Sequence, residues 1–246
     1  MSNSMYVAAS GSIIQEKRME IIANNLANVN AVGFKRDRCA FQVPNPEDEA
    51  RAAETTVQTG LLAKQPFETY TDYNQGPLHA TGNPLDLALS GDGFFVVKTP
   101  DGEKYTRSGN FVLDAEKNLV TQDGHQVVGQ GGPIVVDGAQ VTIDETGAVI
   151  INGKRAGALK IVDFPKPYAL QKDGGGLFKK ADDQPEPIAA ADVTVNQGFV
   201  EGSNINPILE MTEMIETVRG YESYQRIIQF LGEINAKAAN EVGRIG

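Results

Sequence analysis

The sequence is short of the residues from which most chemistry is built. Its 246 residues include no Trp, two His and one Cys. Cys39 alone forms no intramolecular disulfide, and with only His79 and His125 beside it there is no ordinary zinc site. Basic residues are outnumbered too: 22 Lys and Arg stand against 32 Asp and Glu, a net charge of −10. Nucleic-acid binding and attachment to anionic membranes both need a positive footprint, so this balance argues against them. No run reaches the roughly 20 apolar residues that a membrane span requires, and no membrane insertion is expected. The start, MSNSMYVAASGSIIQEKRMEII, lacks the basic opening and continuous apolar stretch of a cleaved signal peptide. What remains is ordinary. With 41% apolar and 22% charged residues, the chain has a globular composition and the length for a substantial core.

Proline is missing from both ends: none precedes Pro44 and none follows Pro207. Helices could therefore run unbroken there. Near the start Met19, Ile22, Leu26 and Val29 step by 3, 4 and 3, with Ile13 continuing the stripe less cleanly. Gly33 is the expected helix stop. Near the other end Ser203-Asn204 offers an N-cap and Pro207 suits a first turn. Met211, Ile215 and Val218 then step by 4 and 3, and Ile227, Leu231 and Ile234 resume after a phase shift near Gly220 and Tyr221. Glu210, Glu213 and Glu216 suit the positive end of that helix. Helices of about 30 and 35 residues would be roughly 45 and 50 Å long. Such helices would pair with each other or with other copies.

The middle reads as β. Asp101-Gly102, Asp123-Gly124, Asp137-Gly138 and Asn152-Gly153 each sit between alternating apolar stretches and predict hairpins. Strands are expected at 159–164, 176–180 and 193–202, in an antiparallel domain. Residues 44–80 show no clear periodicity and read as an extended connector; 181–192 read as a surface loop.

Candidate chemical groups mostly have plainer readings. Asp92, Asp101, Asp123 and Asp137 are explained by turns. The glycines at 129, 131 and 132 lack the Gly-Lys-Ser/Thr ending of a phosphate loop. Arg107 reads as a strand-end cation paired with a carboxylate. Lys35, Arg36 and Arg38 read as a solvated basic knot, or one that meets the acidic stretch Glu47-Asp48-Glu49 of a neighbour. No catalytic constellation, cofactor site or metal site emerges.

Four blocks carry a more specific signal: IANNLANVNAVGFK (22–35), TGNPLDLALSGDGFFVV (81–97), YTRSGNFVLDAEKNLVTQDGHQVVG (105–129) and QGFVEGSNINPILEMTEMIETVRGYESYQRIIQ (197–229). In this order they resemble the flagellar rod and hook protein family. Chain length, the short connector and residues 131–149 are most similar to proximal rod members. Distal rod members come next, and hook members, with larger central insertions, further away. The resemblance implies a mainly β protein with long terminal helices paired as a coiled coil around a central antiparallel β domain. Its divisions would be an assembly helix at 1–34, a connector at 35–80, the β domain at 81–202 and a second assembly helix at 203–246.

The implied role is structural and not enzymatic. Members leave the cell interior through the flagellar type III export apparatus without a cleaved signal peptide. They stack with copies of themselves and with other rod and hook subunits into the drive shaft of the basal body. The expected assembly interface comprises Ile13, Met19, Ile22, Asn24, Asn25, Leu26, Ala27, Asn28, Val29, Gly33 and Phe34. On the second helix it comprises Met211, Ile215, Val218, Tyr221, Ile227, Ile228, Leu231 and Ile234. The asparagines would supply lateral hydrogen bonds between subunits. Two rival readings are a secreted β-rich binding module dimerised by its helices, with a ligand pocket in 80–200, and a hydrolase with two converging carboxylates.

Overall fold

The computed structural model describes residues 3–41, 67–138, 140–181 and 184–242. Most of the expected connector, including Glu47-Asp48-Glu49, lies outside the described residues. The chain divides into two compact units: one of Met1–Ala27, Arg36–Asp72 and Ile205–Gly246, the other of Asn28–Lys35 and Tyr73–Asn204. The first holds both helices, α1 (Asn3–Ala27) and α2 (Pro207–Val242), with an antiparallel pair β1 (Asp37–Phe41) and β2 (Phe67–Thr71).

The β unit holds the other strands. In chain order they are β3 (Leu78–Ala80), β4 (Leu87–Ser90), β5 (Phe94–Thr99), β6 (Gly102–Thr106), β7 (Val112–Leu113), β8 (Leu119–Val120), β9 (Gln126–Gly129), β10 (Gly132–Pro133) and β11 (Val141–Ile143). Then come β12 (Ala148–Ile151), β13 (Lys154–Ala158), β14 (Ile161–Asp163), β15 (Leu170–Lys172), β16 (Leu177–Lys180), β17 (Ile188–Ala189), β18 (Thr194–Gln197) and β19 (Phe199–Glu201). The chain is thus mainly β with a helix at each end. Two strands, β2 and β3, fall inside the stretch that lacked periodicity, and β1 falls in the connector expected at 35–80, because each pairs with a partner that periodicity does not reveal.

The apolar run Phe94-Phe95-Val96-Val97 explains the centre of the β unit. β5 pairs antiparallel with β6, β9 and β14. Over Phe94–Val97 its side chains alternate between two cores, so none of these four positions is left to be polar. Phe95 and Val97 join Leu87, Phe111, Leu119 and Val127 on one face. Phe94 and Val96 join Tyr105, Val162, Phe164 and Phe178 on the other. Here aromatic rings meet edge to face, as Tyr105 and Phe164 do at 4.8 Å. The chain closes on itself where β18 pairs with β4 and β19 with β3.

Only one of the four expected hairpin turns has positive φ twice: Asn152 (50°) and Gly153 (78°), joining β12 to β13. Between β5 and β6 the register pairs Thr99 with Gly102, so Pro100 and Asp101 form the loop and Gly102 already belongs to the strand. Proline fixes a negative φ and moves the turn by one residue. Asp137-Gly138 makes no hairpin, since β10 pairs with β9 and β11 with β12.

Within the helix unit the two helices pack antiparallel. A Cβ on Gly11 would lie 2.4 Å from the Tyr224 ring, one on Gly220 would lie 3.3 Å from Gln15, and Asn25 bonds to Glu210. As α1 advances from 11 to 15 to 25, its partner on α2 retreats in equal steps. Glu213, Val218, Gly220, Gln225 and Gly232 are half-buried beside an inner stripe of buried and half-buried α2 positions, Glu210, Met214, Thr217, Tyr221, Tyr224, Ile228 and Leu231. They alternate by 4 and 3 without a break. On α1 the matching stripe is Ala8, Gly11, Gln15, Arg18, Ile22 and Asn25. The phase shift expected at Gly220–Tyr221 does not occur on the inner face. Met211, Ile215 and Val218 sit one residue off that face.

Both helix boundaries differ from expectation. α1 stops at Ala27, not near Gly33, because residues 28–31 form a turn closed by Ala31 N on Asn28 O. α2 is capped by Asn206, whose Oδ1 accepts from Ile208 N and Leu209 N, with Pro207 in the first turn. Ser203 and Asn204 belong to the β unit.

Candidate functional site

The outer faces of the helices are apolar and open. Met211 and Ile215 are 56% and 55% exposed, and Ile208 and Leu209 extend that surface. Farther along, Ile227, Phe230 and Ile234 are exposed as well. At 3.6 residues per turn this second group lies roughly 100° around the helix from the first. On α1, Tyr6, Val7 and Ile13 are exposed. An apolar surface on this scale marks a contact surface.

The other expected interface residues divide differently. Met19, Leu26, Val218, Tyr221, Ile228 and Leu231 are half-buried and Ile22 is buried, whereas Asn24 and Ala27 are exposed. Asn28, Val29, Gly33 and Phe34 belong to the β unit. The inner seam is also more polar than an apolar stripe. Gln15 Oε1 and Arg18 Nε are buried there without a hydrogen-bond partner among the described residues. A polar group in such a seam costs stability and fixes the register in which two helices meet.

Asn25 is buried, and its hydrogen bonds are made within the chain. Its Nδ2 donates to Asp37 O at 2.9 Å and to Glu210 Oε2 at 3.3 Å, while its Oδ1 accepts from Asp37 N at 3.0 Å. It therefore ties the last turn of α1 to β1 and α2, instead of reaching sideways to another subunit. Arg36 Nε lies 2.6 Å from Glu210 Oε1, an ion-pair contact whose angle does not make a hydrogen bond, and Arg36 Nη2 reaches Glu213 at 3.1 Å. Burial pushes the Glu210 carboxyl above its ordinary range, partly offset by the Asn25 hydrogen bond and the Arg36 charge.

A second cluster lies inside the β unit. Glu201, 1% exposed, accepts from Lys35 Nζ at 2.6 Å and from Gly76 N at 2.9 Å, and it faces Arg107 Nη1 at 3.3 Å. Lys35 Nζ also donates to Asn74 O. Arg107 Nη2 donates to Gly91 O, and its guanidinium covers the Phe94 ring. Gly33, at φ 68°, lets the backbone pass Arg107 so closely that a Cβ would sit 2.4 Å from its carbonyl carbon. The basic knot is therefore paired throughout, and only Arg38 is exposed. Lys35 is buried on Glu201, Arg36 pairs on α2, and Arg38 pairs with Asp72. The carboxylates that claim Lys35 and Arg36 sit over 160 residues away, which local reading of the sequence does not reveal. Arg107 is paired as expected, and its partner, Glu201, carried no recognisable signal.

The aspartates hold loops. Asp114 accepts from Asn118 N and Nδ2, Asp144 from Thr146 and Ala148, and Asp137 pairs with Lys117. Among the described residues no His, Cys, Asp and Glu cluster could hold a metal ion. A cleft of about 200 Å³ in the β unit is lined by Gly129, Gly131, Gly132, Pro133, Ala156 and Gly157 with no titratable side chain. It is smaller than the ~300 Å³ lower bound of ordinary ligand pockets.

Comparison with known proteins gives this arrangement a family. Residues 5–35 match the flagella basal body rod protein family, 88–151 the flagellar hook protein FlgE/F/G D1 domain, and 196–241 the flagellar basal body rod FlgEFG protein C-terminal region. The flagellar basal-body rod protein FlgF of Caulobacter vibrioides is 33% identical over 255 residues, covering 100% of each chain. FlgF of Mesorhizobium japonicum is 32% identical over 99% of each chain. The flagellar basal-body rod protein FlgG of Bacillus subtilis is 34% identical over 98% of this chain and 99% of its own. The chain belongs to the flagellar basal-body rod protein family, and it is a structural subunit of the rod, not an enzyme.

Proposed function

We propose that the chain is the proximal rod subunit, with α1 and α2 paired as an antiparallel coiled coil whose outer faces contact neighbouring subunits. The observation that carries the assembly role is the exposed apolar surface on α2, at Met211 and Ile215 and again at Ile227, Phe230 and Ile234. The unbroken 4-3 alternation of the inner stripe supports the coiled-coil pairing. Ile13 contributes on α1, while Met19, Ile22, Leu26, Val218, Tyr221, Ile228 and Leu231 act through helix pairing. Asn24, Ala27, Asn28, Val29 and Phe34 flank the interface. Partners are copies of this chain and other rod and hook subunits. Delivery is through the flagellar export apparatus without a cleaved signal peptide, into a rod that crosses the periplasm.

The proximal position is supported by residues 131–149, which are most similar to proximal members, and by the FlgF relatives, which match over 99% or more of each chain. FlgG of Bacillus subtilis matches over 98% and 99%, so position along the rod is a matter for experiment. Immunogold labelling of an epitope-tagged subunit in isolated basal bodies tests this. Label next to the inner-membrane ring is expected. Label adjoining the hook would make the chain a distal subunit instead.

A further inference from the structure

The helix unit holds a pocket of about 330 Å³ between α1, β1 and the first three turns of α2. Arg18, Arg36, Arg38, Cys39, Glu213 and Glu216 are among its lining residues. Two of the arginines are matched within the chain, Arg36 by Glu210 and Glu213, Arg38 by Asp72. Arg18 is left over. Its Nε is buried, and among the described residues no hydrogen bond or ion pair reaches its guanidinium. Glu216, at the exposed rim, does not pair with it. A buried cation without a counterion is costly, so the pocket is shaped for one more acidic group.

The surroundings of the pocket indicate where that group comes from. Glu216 and Ile234 are 18 residues apart, about five turns, so they lie on one line of α2 with Ile227 close to it. The pocket therefore opens on the flank that carries the exposed Ile227, Phe230 and Ile234. On α1, Tyr6, Ile13 and Glu20 are all exposed and recur every seventh residue, on one side of that helix. Tyr6 and Glu20 are 14 residues apart, and so are Ile227 and Glu213, about 21 Å in each case at ~1.5 Å per residue. An α1 from a second copy, laid antiparallel along this flank with Tyr6 on Ile227, brings Glu20 level with the pocket. Charge favours the same occupant: with 32 acidic against 22 basic residues, a second copy arrives with carboxylates in surplus.

We propose that, in the assembled rod, the Glu20 carboxylate of a second copy enters this pocket and pairs with Arg18. The pairing rests on the reading of the outer helix faces as subunit contacts. It also gives those faces a register, because apolar contacts alone slide whereas one buried polar contact fixes where two helices meet.

Two copies of the full-length chain, each with a single cysteine, test it in flagellated cells. One keeps the native Cys39 beside the pocket; the other carries Cys39→Ser with Glu20→Cys. Mild oxidation of isolated basal bodies is expected to give an adduct of two-subunit mass that needs both cysteines. Basal bodies that contain both copies and no adduct would overturn the pairing and leave the rod assignment standing. Basal bodies without the chain would overturn that assignment, and the pairing with it. Charge reversal reads the same contact independently. Arg18→Glu is expected to cut swimming about tenfold or more, because like charges then meet in the pocket, and adding Glu20→Arg is expected to restore it. Rescue by Glu216→Arg in place of Glu20→Arg would overturn the proposal, making Arg18 a partner of Glu216 within its own chain. So would normal swimming of Arg18→Glu alone.

Discussion

Glu201→Ala is expected to destabilise the β unit by about 3–5 kcal/mol, the cost of breaking a buried ion pair and leaving its partner charge unmatched. The effect is large because two cations lose their counterion at once. Lys35 and Arg107 are 1% and 4% exposed, and neither can turn to solvent without opening the junction of β3 and β19. Gly76 N would lose its acceptor as well. Urea unfolding followed by tyrosine fluorescence measures the change. Glu103→Ala is the control: its carboxylate pairs with Lys160 at the surface, and such pairs contribute about 0–1 kcal/mol. Equal effects of the two substitutions would mean that burial of the Glu201 cluster is not what holds the junction.

The second large effect concerns assembly. Met211→Asp combined with Ile215→Asp is expected to abolish rod assembly and swimming while leaving the helix pair intact. Both side chains are more than half exposed, so the folded monomer loses little, about 0.5 kcal/mol or less per site. In the assembled rod the same positions would bury charge with no counterion, which is prohibitive. Helical circular dichroism of the purified variant and a swim assay separate the two levels. Ile22→Asp makes the contrast, since Ile22 is buried in the inner stripe and its loss should unzip the helices themselves. Normal swimming of the double variant would remove this face from the interface.

How much of this was legible depends on how far apart the cooperating residues lie. The run Phe94–Val97 could be read as a central strand because both faces of β5 are covered. Asn152-Gly153 could be read as a hairpin because Asn tolerates the positive φ that a two-residue turn demands. The shift at Asp101-Gly102 came from Pro100, whose ring chooses the turn. On α2, hydrophobicity pointed to the outer face and not to the one that meets α1. The inner stripe contains Glu210 and Thr217, whereas Met211 and Ile215 face outward, so the more apolar stripe is the one that α1 leaves uncovered. That inversion is itself informative, since a helix that keeps polar groups inside and apolar ones outside is shaped for a further partner. The Glu201 cluster was out of reach because Lys35, Arg107 and Glu201 come from three separate blocks, each ordinary on its own. The asparagines at the end of α1 were noticed, but Asn25 bonds to Asp37 and Glu210 within its own chain.

The central claim is that α2 meets α1 through its inner stripe and meets neighbouring subunits through its outer faces. Site-specific photocrosslinking in flagellated cells tests it most directly, with the photoreactive residue placed singly at Ile215, Phe230 or Met214. The account predicts adducts of two-subunit mass from Ile215 and Phe230 and only intramolecular products from Met214. Intersubunit adducts from Met214, with none from Ile215 or Phe230, would contradict it.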